Sequence, residues 1–352
     1  MSPLEKVLKG RNTIGRGGSP SLEVMKTRSP IVRFLKQWTL PLAIATGTGG
    51  YLLFANVLWL SEAAAVAGPV CEAALPSVLF VTLLVTFSKV DFSQMQPVRW
   101  HMVVLTAQLV LAGLLLWCVL LLGNGRRELR MVAEAVLVCV IAPCASAAPV
   151  VTCKLGGNLT RMTTFTLLSS VVMAVLIPLV FPLLEQAEGG DAGFVVLLLS
   201  ILKRMATVLL LPLLLGAVVR HRVESLYRWL IRTPDIGFYC WCVALAITSG
   251  ITVKNIVNSH AGTSLLCAIA VCSLVLAVVQ FGIGRWIGRY TGDHICTGQA
   301  MFQKNTGLAI WIAYTYLNPL SSIGAGCYVL WQNIINSLEL YLSSRNQDFS
   351  HA

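Results

Sequence analysis

Ile141-Ala-Pro-Cys-Ala-Ser-Ala-Ala-Pro149-Val-Val-Thr-Cys-Lys-Leu-Gly-Gly157 interrupts one long apolar run of this chain, and Thr297-Gly-Gln-Ala-Met-Phe-Gln-Lys-Asn-Thr-Gly307 interrupts another. In the first, Pro143 and Pro149 each remove a backbone donor and disturb the turn before them. In the second, Gly298 and Gly307 bracket Gln303, Lys304 and Asn305 in the middle of an otherwise apolar segment. Neither stretch suits a helix facing lipid, where every backbone group needs a partner within the protein. Both read as unwound backbone lining a cavity, with Pro143, Pro149, Gly298 and Gly307 as the expected helix-break positions.

The rest of the chain supplies the setting. Of its 352 residues, 56% are hydrophobic and 12% charged, with a mean hydropathy of +0.76. Soluble domains carry about 25% charged residues, so this balance excludes a water-soluble protein, a disordered chain, a nucleic-acid binder and a disulfide scaffold. Ten apolar stretches of roughly 20 residues each fit the length, the first at 38–60, the second at 73–87, the fourth at 131–152, the ninth at 295–317 and the tenth at 323–342. All must be helices, because only helices and closed barrels satisfy their backbone in a bilayer. The expected fold is an all-α polytopic membrane protein of ten transmembrane helices. An odd number per half makes residues 38–184 and 195–342 two inverted five-helix repeats, a plan common in secondary transporters whose sites lie at broken helices.

Charge gives the orientation. Eight of the 26 Lys and Arg residues lie in the first 37 positions, and most others fall in short loops. Sorted by loop, 19 cations share the N-terminal side and 6 the opposite side, among them Lys203 and Arg204 early in the sixth stretch, with Lys304 left inside a span. The positive-inside bias then makes both termini cytoplasmic, in a multi-pass protein of the cell membrane (the inner membrane, in a bacterium). The net charge of +11 thus reports topology rather than a nucleic-acid partner. Residues 1–37 have no apolar core and read as a basic flexible cytoplasmic tail, and 343–352 as a short one. Eleven cysteines, mostly in apolar stretches, read as small buried thiols; Cys240 and Cys242 lack a second pair, so no metal site is expected.

Lys304 is the most informative side chain. A lysine near mid-span costs roughly 2.5–3.5 kcal/mol on insertion scales and marks a functional site unless it reaches an interface. Gln303 and Asn305 offer amide donors and acceptors, either to a substrate or to neighbouring helices. Gln108, in the third stretch, has the same two readings. Ser146, Thr152 and Thr306 are weaker candidates, since hydroxyls often bond back to their own helix. Glu134 lies one turn from Arg130 and reads as its interfacial partner; Glu339 falls late in the tenth stretch. No nucleophile elbow, phosphate loop or metalloprotease motif occurs, and no enzyme is expected.

These broken segments also carry a family resemblance. Lys304-Asn305-Thr-Gly-Leu308-Ala309 is similar to the Gln-Asn-x-x-Leu-Ala of the ninth helix in the bile acid:sodium symporter family. Ala107-Gln108, Leu211-Pro212-Leu-Leu-Leu-Gly216 and Ser88-Lys-Val-Asp91-Phe92 resemble its third helix, its sixth helix and the polar step after its second. The resemblance runs over roughly residues 38–342. It implies that helices four and nine cross at unwound middles, in a core domain that moves against a panel domain containing helices one and six, with organic anions bound between. It also implies positions for sodium: Ala300 and Lys304 stand where the family places Glu and Gln, and Ala148 and Pro149 where it places Ser and Asn. Gln108 alone keeps the expected residue. Losing a carboxylate and gaining an ammonium disfavours bound sodium, so none is required as cofactor.

The expectation is a secondary transporter of an organic anion, bile-acid-like or a small carboxylate, without strict sodium coupling. It would work as an exchanger, a uniporter or a carrier proton-coupled through Lys304. The expected substrate-binding residues are Lys304, Asn305, Gln303, Gln108, Ser146 and Thr152. Lys304, Gln108, Ala300, Ala148 and Pro149 form the ion or coupling position. A transporter-fold sensor that binds without flux, and a cation–proton antiporter-like carrier, are the alternatives. The solute, the direction of transport and the oligomeric state are not legible in the sequence.

Overall fold

The computed structural model describes residues 39–187, 193–233, 236–259 and 261–350; the expected N-terminal tail at 1–37 lies outside them. The described residues form helices and short turns. They run α1 (Thr39–Asn56), α2 (Ser61–Ser88), α3 (Arg99–Leu122), α4 (Arg127–Ile141), α5 (Ala148–Lys154), α6 (Leu159–Ala187) and α7 (Phe194–Met205). There follow α8 (Leu211–Arg222), α9 (Glu224–Arg232), α10 (Ile236–Asn258), α11 (Thr263–Thr291), α12 (His294–Phe302), α13 (Thr306–Tyr316) and α14 (Pro319–Ser350). Six segments are long and apolar enough to cross a membrane by length and composition: most of α2, α3, α6, the α7–α8 run, α10 and α11.

The surface explains itself by solvent. In α3 the inward residues are Trp100, Val104, Leu105, Gln108 and Ala112, yet Val103, Val110, Leu114 and Trp117 point outward and are exposed. A helix apolar on both faces belongs in lipid, not at a water boundary.

The fourth and ninth stretches are each two helices separated by a break. Ala142 precedes Pro143, whose ring disfavours the α region for the residue before it, and it takes an extended conformation (φ −63°, ψ 137°) that ends α4. Pro149 lies in the first turn of α5, where a missing N–H is tolerated, so it starts a helix and breaks none. On the other side, Gln303 is extended (φ −76°, ψ 106°) and Asn305 caps α13 by accepting from Leu308 N at 3.2 Å. Gly298 and Gly307 fall inside α12 and α13, which corrects the expectation that they would mark the break.

Glycine acts instead as a spacer. α11 ends at Gly292 in the left-handed region (φ +78°), and Asp293 then caps α12 through Cys296 N at 3.1 Å. The tight turn brings the two helices so close that a Cβ on Gly284 would lie 2.4 Å from the Thr297 carbonyl oxygen. Small residues that admit such approach drive helix pairing where no hydrophobic effect separates helix from lipid.

Other boundaries shift for identifiable reasons. α2 begins at Ser61, well before residue 73, because its polar residue Glu72 is paired with Lys254 of α10 and accepts from Tyr314 Oη. α14 continues to Ser350, beyond the expected end near 342. The run Ala206–Leu210 is a π-helical turn before Pro212, with Leu211 N bonded to Ala206 O; proline leaves the carbonyl of the preceding turn without its donor, and the wider turn absorbs the mismatch. The loop after it contains α9, whose Leu230 packs with Val85 and Val219.

Candidate functional site

The two breaks meet. Cys144 and Lys304 form an antiparallel backbone bridge. Ala145 N donates to Gln303 O at 3.0 Å, and Asn305 N to Pro143 O at 2.8 Å. Each broken helix therefore supplies part of what the other lacks, as low-dielectric surroundings demand.

Side chains satisfy the remainder. Gln108 Nε2 donates to the carbonyls of Val140 and Ala142, at 2.7 and 3.1 Å, at the end of α4. Cys144 N donates to Ser169 Oγ at 2.9 Å. On the other strand Tyr328 Oη donates to Phe302 O at 2.8 Å and itself accepts from Gln280 Nε2. Lys304 N donates to Gln332 Oε1 at 2.7 Å, and Gln303 Nε2 to Asn336 Oδ1 at 3.0 Å. The polar face of α14 continues to Glu339, which accepts from Arg285 of α11 and Gln299 of α12.

One side chain stands apart. Lys304 is 1% exposed, and its Nζ has no hydrogen-bond partner among the described residues. The titratable groups that act on it are the thiols of Cys144 and Cys139; among the described residues no carboxylate pairs with it. The Gln108 Oε1 and Thr152 Oγ1 atoms are buried without partners as well.

The remaining candidates fall into place around this crossing. Ser146 is half-buried between the prolines, and Thr152 is buried in α5. Gln303 and Asn305 are occupied in holding helices, the first to α14 and the second as a cap. Ala148 and Ala300 share an apolar cluster with Trp100, Met162, Phe165 and Met301, and Pro149 is buried. Of the positions that the resemblance gives to sodium ligands, Ala300, Lys304, Ala148 and Pro149 offer no side-chain oxygen, and Gln108 alone offers one. Beside the break, Val138, Ile141, Ala142, Pro143, Ile177, Phe181, Leu308, Ala309 and Ile312 line a cavity of about 10 Å³, at the lower limit for one water. Among the described residues no group of three His, Cys, Asp or Glu gathers as a metal site.

Sequence reasoning missed Ser169, Gln332, Asn336 and Tyr328. A signal was present: Tyr328, Gln332, Asn336 and Glu339 recur at helical spacing, a polar stripe that marks one inward face. It also placed the Arg130–Glu134 pair at an interface. The pair forms at 2.8 Å but is buried, with Arg130 also donating to Leu184 O.

The other resemblance motifs meet too. A Cβ on Gly216 would lie 2.9 Å from Ser88 N, and Arg220 pairs with Asp91 at 2.8 Å. Asp91 lies outside the spans, and the hydrogen bond from Ser93, aided by Arg220, holds its carboxyl below the usual pKa.

Many apolar helices and two that break and pair at their middles define a multi-pass membrane transporter. Residues 76–259 match the profile of the Sodium Bile acid symporter family, more than half of the 352 residues, and the chain belongs to that family. It is a family of transporters and not of enzymes. The match ends before α12, so Lys304 lies beyond it. Compared with curated proteins, the chain finds no match.

Proposed function

We propose that the protein is a secondary active transporter that moves an organic anion, bile-acid-like or a small carboxylate, by alternating access and without strict sodium coupling. Ten spans in two inverted fives would form a panel and a core, both termini cytoplasmic, with α4–α5 and α12–α13 as the crossing pair of the core. Lys304, Asn305, Gln303, Gln108, Ser146 and Thr152 surround the proposed binding position.

The observation that carries this reading is the buried Lys304 side chain, whose Nζ has no hydrogen-bond partner among the described residues. A carboxylate brought to about 4 Å would gain about 4 kcal/mol at an effective dielectric constant near 20, and a sodium ion would lose as much. That is about three orders of magnitude in binding. The apolar cluster at Ala148 and Ala300 supports the same conclusion, because nothing there would offset the repulsion. The substrate supplies the counter-charge that the crossing lacks, and the cavity beside Pro143 would have to widen to admit its apolar part.

Uptake of labelled taurocholate and labelled benzoate into proteoliposomes, with and without an inward sodium gradient, tests this. Uptake independent of sodium is expected. A strict sodium requirement, or no flux of any organic anion, would overturn it.

A further inference from the structure

We propose a second anion-reading position, distinct from Lys304, in which Arg204 and the Tyr316 hydroxyl receive the carboxylate of an amphipathic organic acid. The proposal rests on the organic-anion reading above.

Lys203 and Arg204 are the tenth and eleventh residues of the Phe194–Arg222 run, about 15 Å from its start at 1.5 Å per residue. Apolar residues precede and follow them. Both side chains are exposed, and among the described residues neither joins an ion pair. Cations at such depth are expensive unless they face a partner or a watery cleft.

The Arg204 guanidinium carbon lies 5.6 Å from the ring centroid of Tyr316, at the end of α13 away from the crossing. Tyr316 Oη is buried and has no hydrogen-bond partner among the described residues. On α13, Leu308, Ile312 and Tyr316 follow at intervals of four and share a face. The first two line the apolar cavity beside Pro143. One face of α13 thus leads from the helix break, along apolar side chains, to an unpaired guanidinium and an unpaired hydroxyl. A carboxylate fits that end, since arginine can bind it in a two-pronged manner and the phenol can donate a further bond. The apolar body of the acid would enter the cavity lined by Ile312 and Leu308, which are buried in this structure, so that cavity has to widen to admit it. The π turn at Ala206–Leu210 begins two residues after Arg204, and such turns recur at functional positions within helices.

The test uses the full chain in nanodiscs of zwitterionic lipid, with thermal unfolding followed in benzoate and in its neutral counterpart benzamide. Benzoate, and not benzamide, is expected to raise the midpoint of the wild type. Arg204→Gln should weaken benzoate roughly 10- to 100-fold, the usual range for a lost charge-assisted bond. Arg204→Lys, which keeps charge but loses the fork, should fall between. Tyr316→Phe should lower affinity without changing the preference for benzoate. In a Lys304→Met background, which removes the other anion position, benzoate should still raise the midpoint, and adding Arg204→Gln should abolish that remaining shift. A wild type indifferent to benzoate, or a shift in the Lys304→Met background that survives Arg204→Gln, overturns the proposal. A benzoate shift that depends on Arg204 in a protein that transports no anion would overturn the carrier reading and leave this site standing.

Discussion

Replacing Lys304 by methionine should raise the stability of the protein and abolish its transport. The side chain is fully enclosed and its Nζ finds no acceptor. A buried polar group without a partner costs about 1–3 kcal/mol, more when charged. Methionine matches the length and adapts to irregular gaps. The bonds that hold the break at this position are made by backbone: Lys304 N to Gln332 and Lys304 O from Thr306 N at 2.9 Å. They survive the substitution. A gain of at least ~1 kcal/mol follows, and at about 2–4 °C per kcal/mol for domains of roughly 150–250 residues the unfolding midpoint should rise by a few degrees.

Uptake should move the opposite way, because on the proposed reading the variant loses the charge that would hold the anion, a term of about 4 kcal/mol at an effective dielectric constant near 20. Functional sites often hold groups that stability alone would discard. Thermal unfolding of the purified protein and taurocholate uptake in proteoliposomes check the two halves. A midpoint lowered by several degrees, with uptake retained, would refute the reasoning and make Lys304 a strut.

Gln108→Leu keeps the size of the side chain but strands the Val140 and Ala142 carbonyls; a loss of about 1–3 kcal/mol is expected, read as a lower unfolding midpoint. Gly288→Ala should destabilise by about 1–3 kcal/mol through overpacking, since its Cβ would meet His294 Cα at 2.2 Å and Thr297 Oγ1 at 2.3 Å. Gly282→Ala, with nothing within 4 Å, should be neutral or stabilising by up to ~1 kcal/mol; equal effects at the two sites would contradict the close packing of α11 on α12. Asp91 has a folded pKa below its usual 3.8, so its contribution to stability is present above that value and is lost as the pH falls through the folded value. Asp91→Asn should flatten acid unfolding in that window; an unchanged acid limb would show that the Ser93 and Arg220 contacts contribute nothing.

Pro143 and the polar run Gln303–Asn305 were legible as breaks because they act locally: proline fixes its neighbour's conformation, and polar side chains in an apolar run stand out. Pro149, Gly298 and Gly307 misled because the same residue types also serve inside helices, as a first-turn proline and as close-packing glycines. That choice is made by the helix alongside, which a linear reading does not contain. The roles of Gln108 and Gln303 were open between ligand and helix-holding for the same reason. An amide can do either, and only the positions of Val140, Ala142 and Asn336 decide. The start of α2 was missed because Glu72 reads as a terminator until Lys254, far along the chain, is seen to pair with it.

The crossing is held almost entirely by neutral groups: two backbone-to-backbone bonds, the amides of Gln108, Gln303, Gln332 and Asn336, and the hydroxyls of Ser169 and Tyr328. Such a junction needs no ion to stand, since each of these bonds is made without a net charge to desolvate. A positive charge left over in it therefore has no structural creditor. Had Lys304 been retained to knit the breaks together, its ammonium would be expected among the carbonyls of Val140, Ala142, Pro143 or Gln303, as buried donors are where they stabilise. Those oxygens instead accept from Gln108, Asn305 N and Ala145 N. The Lys304 amine is left without a hydrogen-bond partner among the described residues, and on the proposed reading a bound anion would supply one in the occupied state alone, since a ligand shifts a conformational equilibrium only through a difference in its contacts between states.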